Sequence, residues 1–156
     1  MKTLKEVILE NKDNKVHHYV DAIIVNPDDE LLLLQRAGYI KPFGGKWAFV
    51  GGSIDEKDKS PKDALIREIK EETGIELTFN ENHAIKQLYK KNHLNNDGEV
   101  VSDTEYFIVE LESKPEVKLS REHSRYKWFD RNSIKEKQNK CVPDVFNIIQ
   151  RYYENN

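Results

Sequence analysis

Arg67-Glu68-Ile69-Lys70-Glu71-Glu72-Thr73-Gly74-Ile75 decides how this chain is read. Helical residues three and four apart share a face, so Glu68, Glu71 and Glu72 project to one side. Like charges at that spacing repel and weaken a helix. A cation held between them offsets the repulsion. Mg²⁺ suits the set, because it prefers oxygen ligands and is held by a few carboxylates plus substrate phosphates. Mn²⁺ is its natural substitute. An isolated E-x-x-E-E is more often a solvated face, and the flanking residues argue for a site instead.

Working outward, Ser60 is placed to cap a helix whose first position is Pro61, and Asp63 stands where a capping-box acid would. Ala64, Leu65 and Ile69 form an apolar stripe. Gly74 can end the helix in the left-handed conformation. Upstream, Trp47-Ala48-Phe49-Val50 reads as a strand running into Gly51-Gly52, where glycines permit a close backbone approach to a metal or phosphate.

Gly52 through Ile75 resembles the Nudix box, the pattern G-x5-E-x7-R-E-U-x-E-E-x-G-U with U aliphatic. Arg67, Glu68, Ile69, Glu71, Glu72, Gly74 and Ile75 match its second half. The first half departs from it. Gly52 to Arg67 is one residue longer than the pattern, and the first glutamate is absent. Counting forward puts Asp58 there, and counting back puts Lys59. The proline often found before the glycine pair is Val50 here.

Composition agrees with one domain over residues 1–156, enough chain for a single core. Net charge is −3, from 25 basic and 28 acidic residues, so no bulk basic signal points to nucleic acid. Cys141 is the only cysteine, which excludes an internal disulfide and a multi-cysteine zinc site and leaves it a packing residue before Pro143. No apolar run is long enough for a membrane span, and the start, with Lys2, Lys5 and Glu6, has no signal-peptide core. The expected location is the cytoplasm, and a homodimer is left open.

The layout reads as α/β. Residues 19–25 and 31–35 suggest a hairpin around Asn26-Pro27-Asp28-Asp29. A loop over 37–45 leads to the strand at 47–50 and then to the helix. Further strands are expected at 84–90, 104–111 and 126–129, with a polar loop at 92–98. Helices are expected at 132–138 and 142–153, the second with Val145, Ile148, Ile149 and Tyr152 on one stripe. Helices on both faces of a mixed sheet fit this order, and the resemblance implies the same α/β/α sandwich.

The resemblance also implies roles. Glu68, Glu71 and Glu72 would supply metal oxygens and Gly51 a backbone carbonyl, while Arg67 would hold the carboxylates by charge-assisted hydrogen bonds. Bound Mg²⁺ would neutralise substrate phosphates and lower the pKa of a water. Glu122 lies six residues before Trp128, the offset of an acid that in several Nudix subgroups sits in a flexible loop over the metals. It would be a ligand or a general base, or else a solvated loop residue. His123 reads as a surface or substrate-contacting residue. Arg36, ending an apolar strand, could contact a phosphate. Tyr39, Phe43 and Trp47 could stack on a base or belong to the core.

The implied substrate is a small-molecule nucleotide with a pyrophosphate link. Residues 41–52 resemble the subgroup associated with ADP-ribose, whereas Glu122-His123 through Trp128 looks like nucleoside-triphosphate and dinucleoside-polyphosphate hydrolases. The alternative to a hydrolase is a Nudix-type nucleotide sensor without turnover, favoured only by the missing first glutamate.

Overall fold

The computed structural model describes residues 16–77 and 84–156. The charged start, Lys2, Lys5 and Glu6, lies outside them. In chain order the elements are β1 (His17–Val25), β2 (Leu31–Arg36), β3 (Trp47–Ala48), β4 (Val50–Ser53), α1 (Pro61–Thr73), β5 (Ala84–Leu94), β6 (Val100–Glu110), β7 (His123–Phe129), α2 (Arg131–Lys135) and α3 (Val145–Glu154). The sheet runs β3-β2-β1-β6-β5, with β4 added to β1 and β7 added to β2. β1 and β6 are parallel and every other pair is antiparallel.

β1 shows why the strand sequences are nearly continuous in apolar residues. Its Val20, Ala22 and Ile24 pack with Leu65 and Ile69 of α1, while Ile23 and Val25 pack with Ile148, Ile149 and Tyr152 of α3. A sheet covered on both faces needs both sets of alternating side chains to be apolar. The sandwich expected from the sequence is therefore present.

α1 is capped as its residues suggest. The Asp63 N–H donates to Ser60 Oγ at 3.1 Å, and Gly74 closes the helix at φ 72°, its N–H donating to the Lys70 carbonyl at 2.9 Å.

Several expectations need correction. The first two strands form little of a hairpin: only Val25↔Leu31 pair across the turn. Beyond it β1 takes β4 and β6 as partners, and β2 takes β3 and β7. Each strand is buried on both faces, so each is satisfied by partners brought from far along the chain. β5 continues through Leu94, so the turn is shorter than 92–98. It is closed by Asn95, whose side-chain oxygen accepts the N–H groups of Asp97 and Glu99 at 2.9 and 3.0 Å. The helix expected at 132–138 stops at Lys135. The last helix starts at Val145, not 142, because Asp144 sits at φ 76°, outside the right-handed helical region. Trp47 is core: it is 2% exposed and packs edge-on against Phe129 with ring centroids 5.2 Å apart. Cys141 is a half-buried packing residue beside it, and the Val142 N–H donates to the Trp47 carbonyl at 2.8 Å. Among the described residues no helix is long and apolar enough to cross a membrane.

Candidate functional site

The glycine pair and α1 form one side of a cleft of about 600 Å³, and the segment before β7 forms another. Arg36, Gly51, Gly52, Ser53, Glu68, Glu71, Glu72, Ser120, Arg121 and Glu122 line it. The backbone explains why a glycine stands at position 52. A Cβ there would lie 2.5 Å from the carboxylate carbon of Glu68. Gly52 thus makes room for a carboxylate, and Gly51 makes room for Val20 and Asp21 of the neighbouring strand.

The carboxylates of α1 occupy three environments. Glu71 is solvent-facing, with 57% of its side chain exposed. Glu68 is half-buried, and burial pushes its carboxyl above the usual range despite Arg67 beside it. Glu72 is 7% exposed. Its Oε1 accepts the Gly51 N–H at 2.7 Å, and its Oε2 lies 3.5 Å from His123 Nε2. Burial pushes Glu72 up to about 8, with the Gly51 hydrogen bond opposing and the charge of Glu68 adding. Burial also lowers His123, so without a cation the pair is a neutral contact and not an ion pair.

Arg67 ties this wall together. Its Nε and Nη2 donate to the two oxygens of Asp58 at 3.0 and 2.8 Å, a bidentate pair. Nη2 also donates to the Ser53 carbonyl at 3.0 Å, and Nη1 donates to Glu68 at 3.1 Å and Glu71 at 3.3 Å. Of the two residues the sequence counted to the first-glutamate position, Asp58 and Lys59, it is Asp58 that meets Arg67. The extra residue is absorbed in a turn where the Asp58 N–H donates to the Asp55 carbonyl at 3.0 Å and the Asp55 N–H to Asp58 Oδ2 at 2.8 Å. Hydrogen bonds from Arg67 hold Asp58 below the ordinary carboxylate range.

The structure brings Arg36 and Glu122 into the same cleft as the three glutamates. The Glu122 side chain is exposed and makes no hydrogen bond or ion pair among the described residues, while its carbonyl accepts the Ala37 N–H at 2.8 Å. His123 is not a surface residue: 3% of its side chain is exposed, and it lies beneath the cleft against Glu72. Tyr39 is 68% exposed and spends its hydroxyl on the Arg121 carbonyl at 2.6 Å, which pins the segment carrying Glu122. Phe43 is exposed on the loop at φ 68° and does not line the cleft.

Sequence reasoning passed over Asp21. Burial pushes it up to about 7, with Glu68 adding repulsion, and its register partner on β4 is Gly51. The available signal was a lone acid in the apolar run Val20 to Val25. It also passed over Ser120 and Arg121, which no local pattern marks.

The donor set is all oxygen and matches a hard divalent ion. In this conformation, among the described residues, no three acidic or imidazole side chains are gathered closely enough to hold one. Glu68 and Glu71 are turned to Arg67, and Glu72 is turned to Gly51. Rotation of these carboxylates into the cleft is the adjustment an ion would require.

Comparison with known proteins bears on the family and the fold. The family model described as NUDIX domain matches residues 15–151. The chain is 44% identical over 62 residues to a CTP pyrophosphohydrolase of Escherichia coli, covering 40% of this chain and 44% of that protein. It is 33% identical over 113 residues to the uncharacterized Nudix hydrolase YvcI of Bacillus subtilis, covering 71% and 65%. The matches thus span 44% and 65% of these relatives' lengths. Among solved structures, the NUDIX domain of Shewanella oneidensis NrtR complexed with ADP ribose superposes with a TM-score of 0.74 at 23% identity, covering 99% of both chains.

Proposed function

The chain belongs to the NUDIX domain family, and from that premise we propose that it is a divalent-cation-dependent pyrophosphohydrolase of a nucleoside diphosphate linked to another group. The observation that carries this reading is the Arg67-anchored wall of Glu68, Glu71 and Glu72 beside the glycine pair. Those three carboxylates, with the Gly51 carbonyl and Glu122, are the groups that would hold Mg²⁺ or Mn²⁺. A cation bound there supplies neutralisation of phosphate charge and a more acidic water.

The chain's own residues do the rest. Arg67 orients Glu68 and Glu71 and keeps them from repelling one another. Gly51 fixes one oxygen of Glu72, and the other lies 3.5 Å from His123 Nε2. Glu122, unpaired and solvent-facing, is free to accept the proton of the attacking water. Arg36 faces the phosphates from β2. The sensor reading rested on the missing first glutamate, and Asp58, one of the two residues counted to that position, makes a bidentate pair with Arg67.

A panel of ADP-ribose, CTP, 8-oxo-dGTP and dinucleoside polyphosphates, assayed for phosphate-containing products with Mg²⁺, Mn²⁺ and a chelator, tests the reading. Turnover of at least one substrate that stops with chelator and returns with either ion is expected. Turnover in a metal-free preparation, or binding without turnover across the panel, rejects it.

A further inference from the structure

We propose that Tyr39 is a positioning residue: its hydroxyl holds the backbone at Arg121 and so fixes the point from which the Glu122 carboxylate enters the cleft. The inference rests on the reading of Glu122 as the acid that acts on the attacking water.

Tyr39 is an aromatic residue outside the core. It is 68% exposed, belongs to neither apolar cluster and does not line the cleft. A ring so placed buries little apolar surface, so packing does not account for how it is held. What holds it is its hydroxyl, which donates at 2.6 Å to the Arg121 carbonyl, 82 residues along the chain. The loop that carries it, 37–46, is closed on itself. At its ends the Arg36 N–H donates to the Lys46 carbonyl at 2.9 Å, and the Gly45 N–H donates to the Arg36 carbonyl at 2.8 Å. Within it the Ile40 N–H donates to the Ala37 carbonyl at 3.0 Å and the Lys46 N–H to the Phe43 carbonyl at 3.1 Å. Tyr39 therefore stands on a compact loop whose ends are fixed to the end of β2.

The far end of this tie is the segment that leads into β7. The Glu122 carbonyl accepts the Ala37 N–H at 2.8 Å, and the His123 N–H donates to the Ser120 carbonyl at 3.3 Å. From His123 onward the chain is held by its pairing with β2. Among the described residues no side chain other than Tyr39 bonds the backbone of 120–122. The Glu122 carboxylate has no hydrogen bond or ion pair of its own there, so the backbone beneath it sets its place. That place matters, because a general base works within about 2.6–3.2 Å of the proton it takes, and a displacement of about 1 Å can cost about a hundredfold in rate. Ala37 and Tyr39 fix two successive carbonyls, and only the Tyr39 donor can be removed without altering the backbone. This role uses the hydroxyl, whereas stacking on a base would use the ring.

Steady-state kinetics on a nucleotide of the panel test the role, using wild type, Tyr39→Phe, Tyr39→Leu, Glu122→Gln and the double variant Tyr39→Phe with Glu122→Gln. Tyr39→Phe and Tyr39→Leu should each lower kcat about threefold to tenfold, the scale of one hydrogen bond, with KM within about twofold of wild type. In the Glu122→Gln background Tyr39→Phe should lower kcat no further, because both act through one carboxylate. Native-state trypsin digestion supplies a readout without turnover. The Arg121–Glu122 bond should be cut about threefold to tenfold faster in Tyr39→Phe, with cutting after Lys135 unchanged. Wild-type kcat in Tyr39→Phe overturns the proposal, and so does an equal fall in the Glu122→Gln background. A raised KM with kcat kept in Tyr39→Leu overturns it in favour of a ring that touches substrate. The two readings fail separately. If wild type turns over no nucleotide, the hydrolase is rejected, and trypsin alone judges the hold on Arg121, with equal cleavage rejecting it. Hydrolysis that is undiminished in Tyr39→Phe keeps the hydrolase and rejects the positioning role.

Discussion

Replacing Asp58 by Ala removes the acid that anchors Arg67, and the structure sets the size of the loss. The longer first half of the box leaves Asp58 without a role that position alone defines, and the geometry supplies one. Two hydrogen bonds of 2.8 and 3.0 Å join Asp58 to Arg67, and Asp58 also closes its own turn through the Asp55 N–H at 2.8 Å. Its side chain is 7% exposed and that of Arg67 28%. Hydrogen bonds to charged groups contribute about 1.5–3 kcal/mol, and solvent reaching Arg67 screens the pair toward the lower end. A loss of about 2 kcal/mol corresponds to a fall in Tm of roughly 4–8 °C for a chain of this size. Glu68 and Glu71 lose their fixed partner as well, so kcat/KM should fall about tenfold or more, with each tenfold being about 1.4 kcal/mol of transition-state stabilisation. Scanning calorimetry and steady-state kinetics read the two effects. A double-mutant cycle with Arg67→Gln should show coupling, because the two residues share one network. Asp58 is held below its ordinary pKa, so its contribution is present above about pH 4 and is lost as pH falls through the folded value. The gap between wild type and Asp58→Ala should therefore close in acid. An Asp58→Ala protein with the wild-type melting point, wild-type kcat/KM and additive behaviour with Arg67→Gln would refute the anchor.

Three other outcomes are expected. Glu71→Gln and Glu72→Gln should each cost orders of magnitude in rate while leaving the fold intact, since charge stabilisation at phosphate is a large part of catalysis; near-normal turnover in both contradicts the assignment. Glu122→Gln should lower kcat about a hundredfold with little change in KM, the scale of losing a general base; unchanged kcat makes Glu122 merely solvated. Glu72 is raised to about 8 and Asp21 to about 7, so the folded, cation-free chain binds more protons than the unfolded one above their ordinary values. Stability in EDTA should then fall as pH rises from about 5 to 8, and Glu72→Gln should flatten the slope; a melting point that climbs over that range in EDTA would count against burial of these acids.

Local features were legible in the sequence because adjacent residues decide them. Ser60, Pro61 and Gly74 mark the ends of α1, since a cap depends on atoms within one turn. The spacing of Glu68, Glu71 and Glu72 put them on one face, and the stripe Val145, Ile148, Ile149, Tyr152 is buried on α3 as its period requires. Tertiary structure alone decided what depends on chain brought from far away. His123 is buried because the pairing of β7 with β2 shifts register between Gln35 and Arg36, and a one-residue shift sends a strand side chain to the other face. Glu72 is buried and Glu71 exposed, though they are neighbours, because β4 and His123 close over one and not the other. Asp58 rather than Lys59 meets Arg67 because the turn from Asp55 folds back onto the helix. Arg36, Ser120 and Arg121 share a cleft only because β2 and β7, more than eighty residues apart, lie side by side. Spacing along one chain carries the first kind of information, and only the closing of the sheet supplies the second.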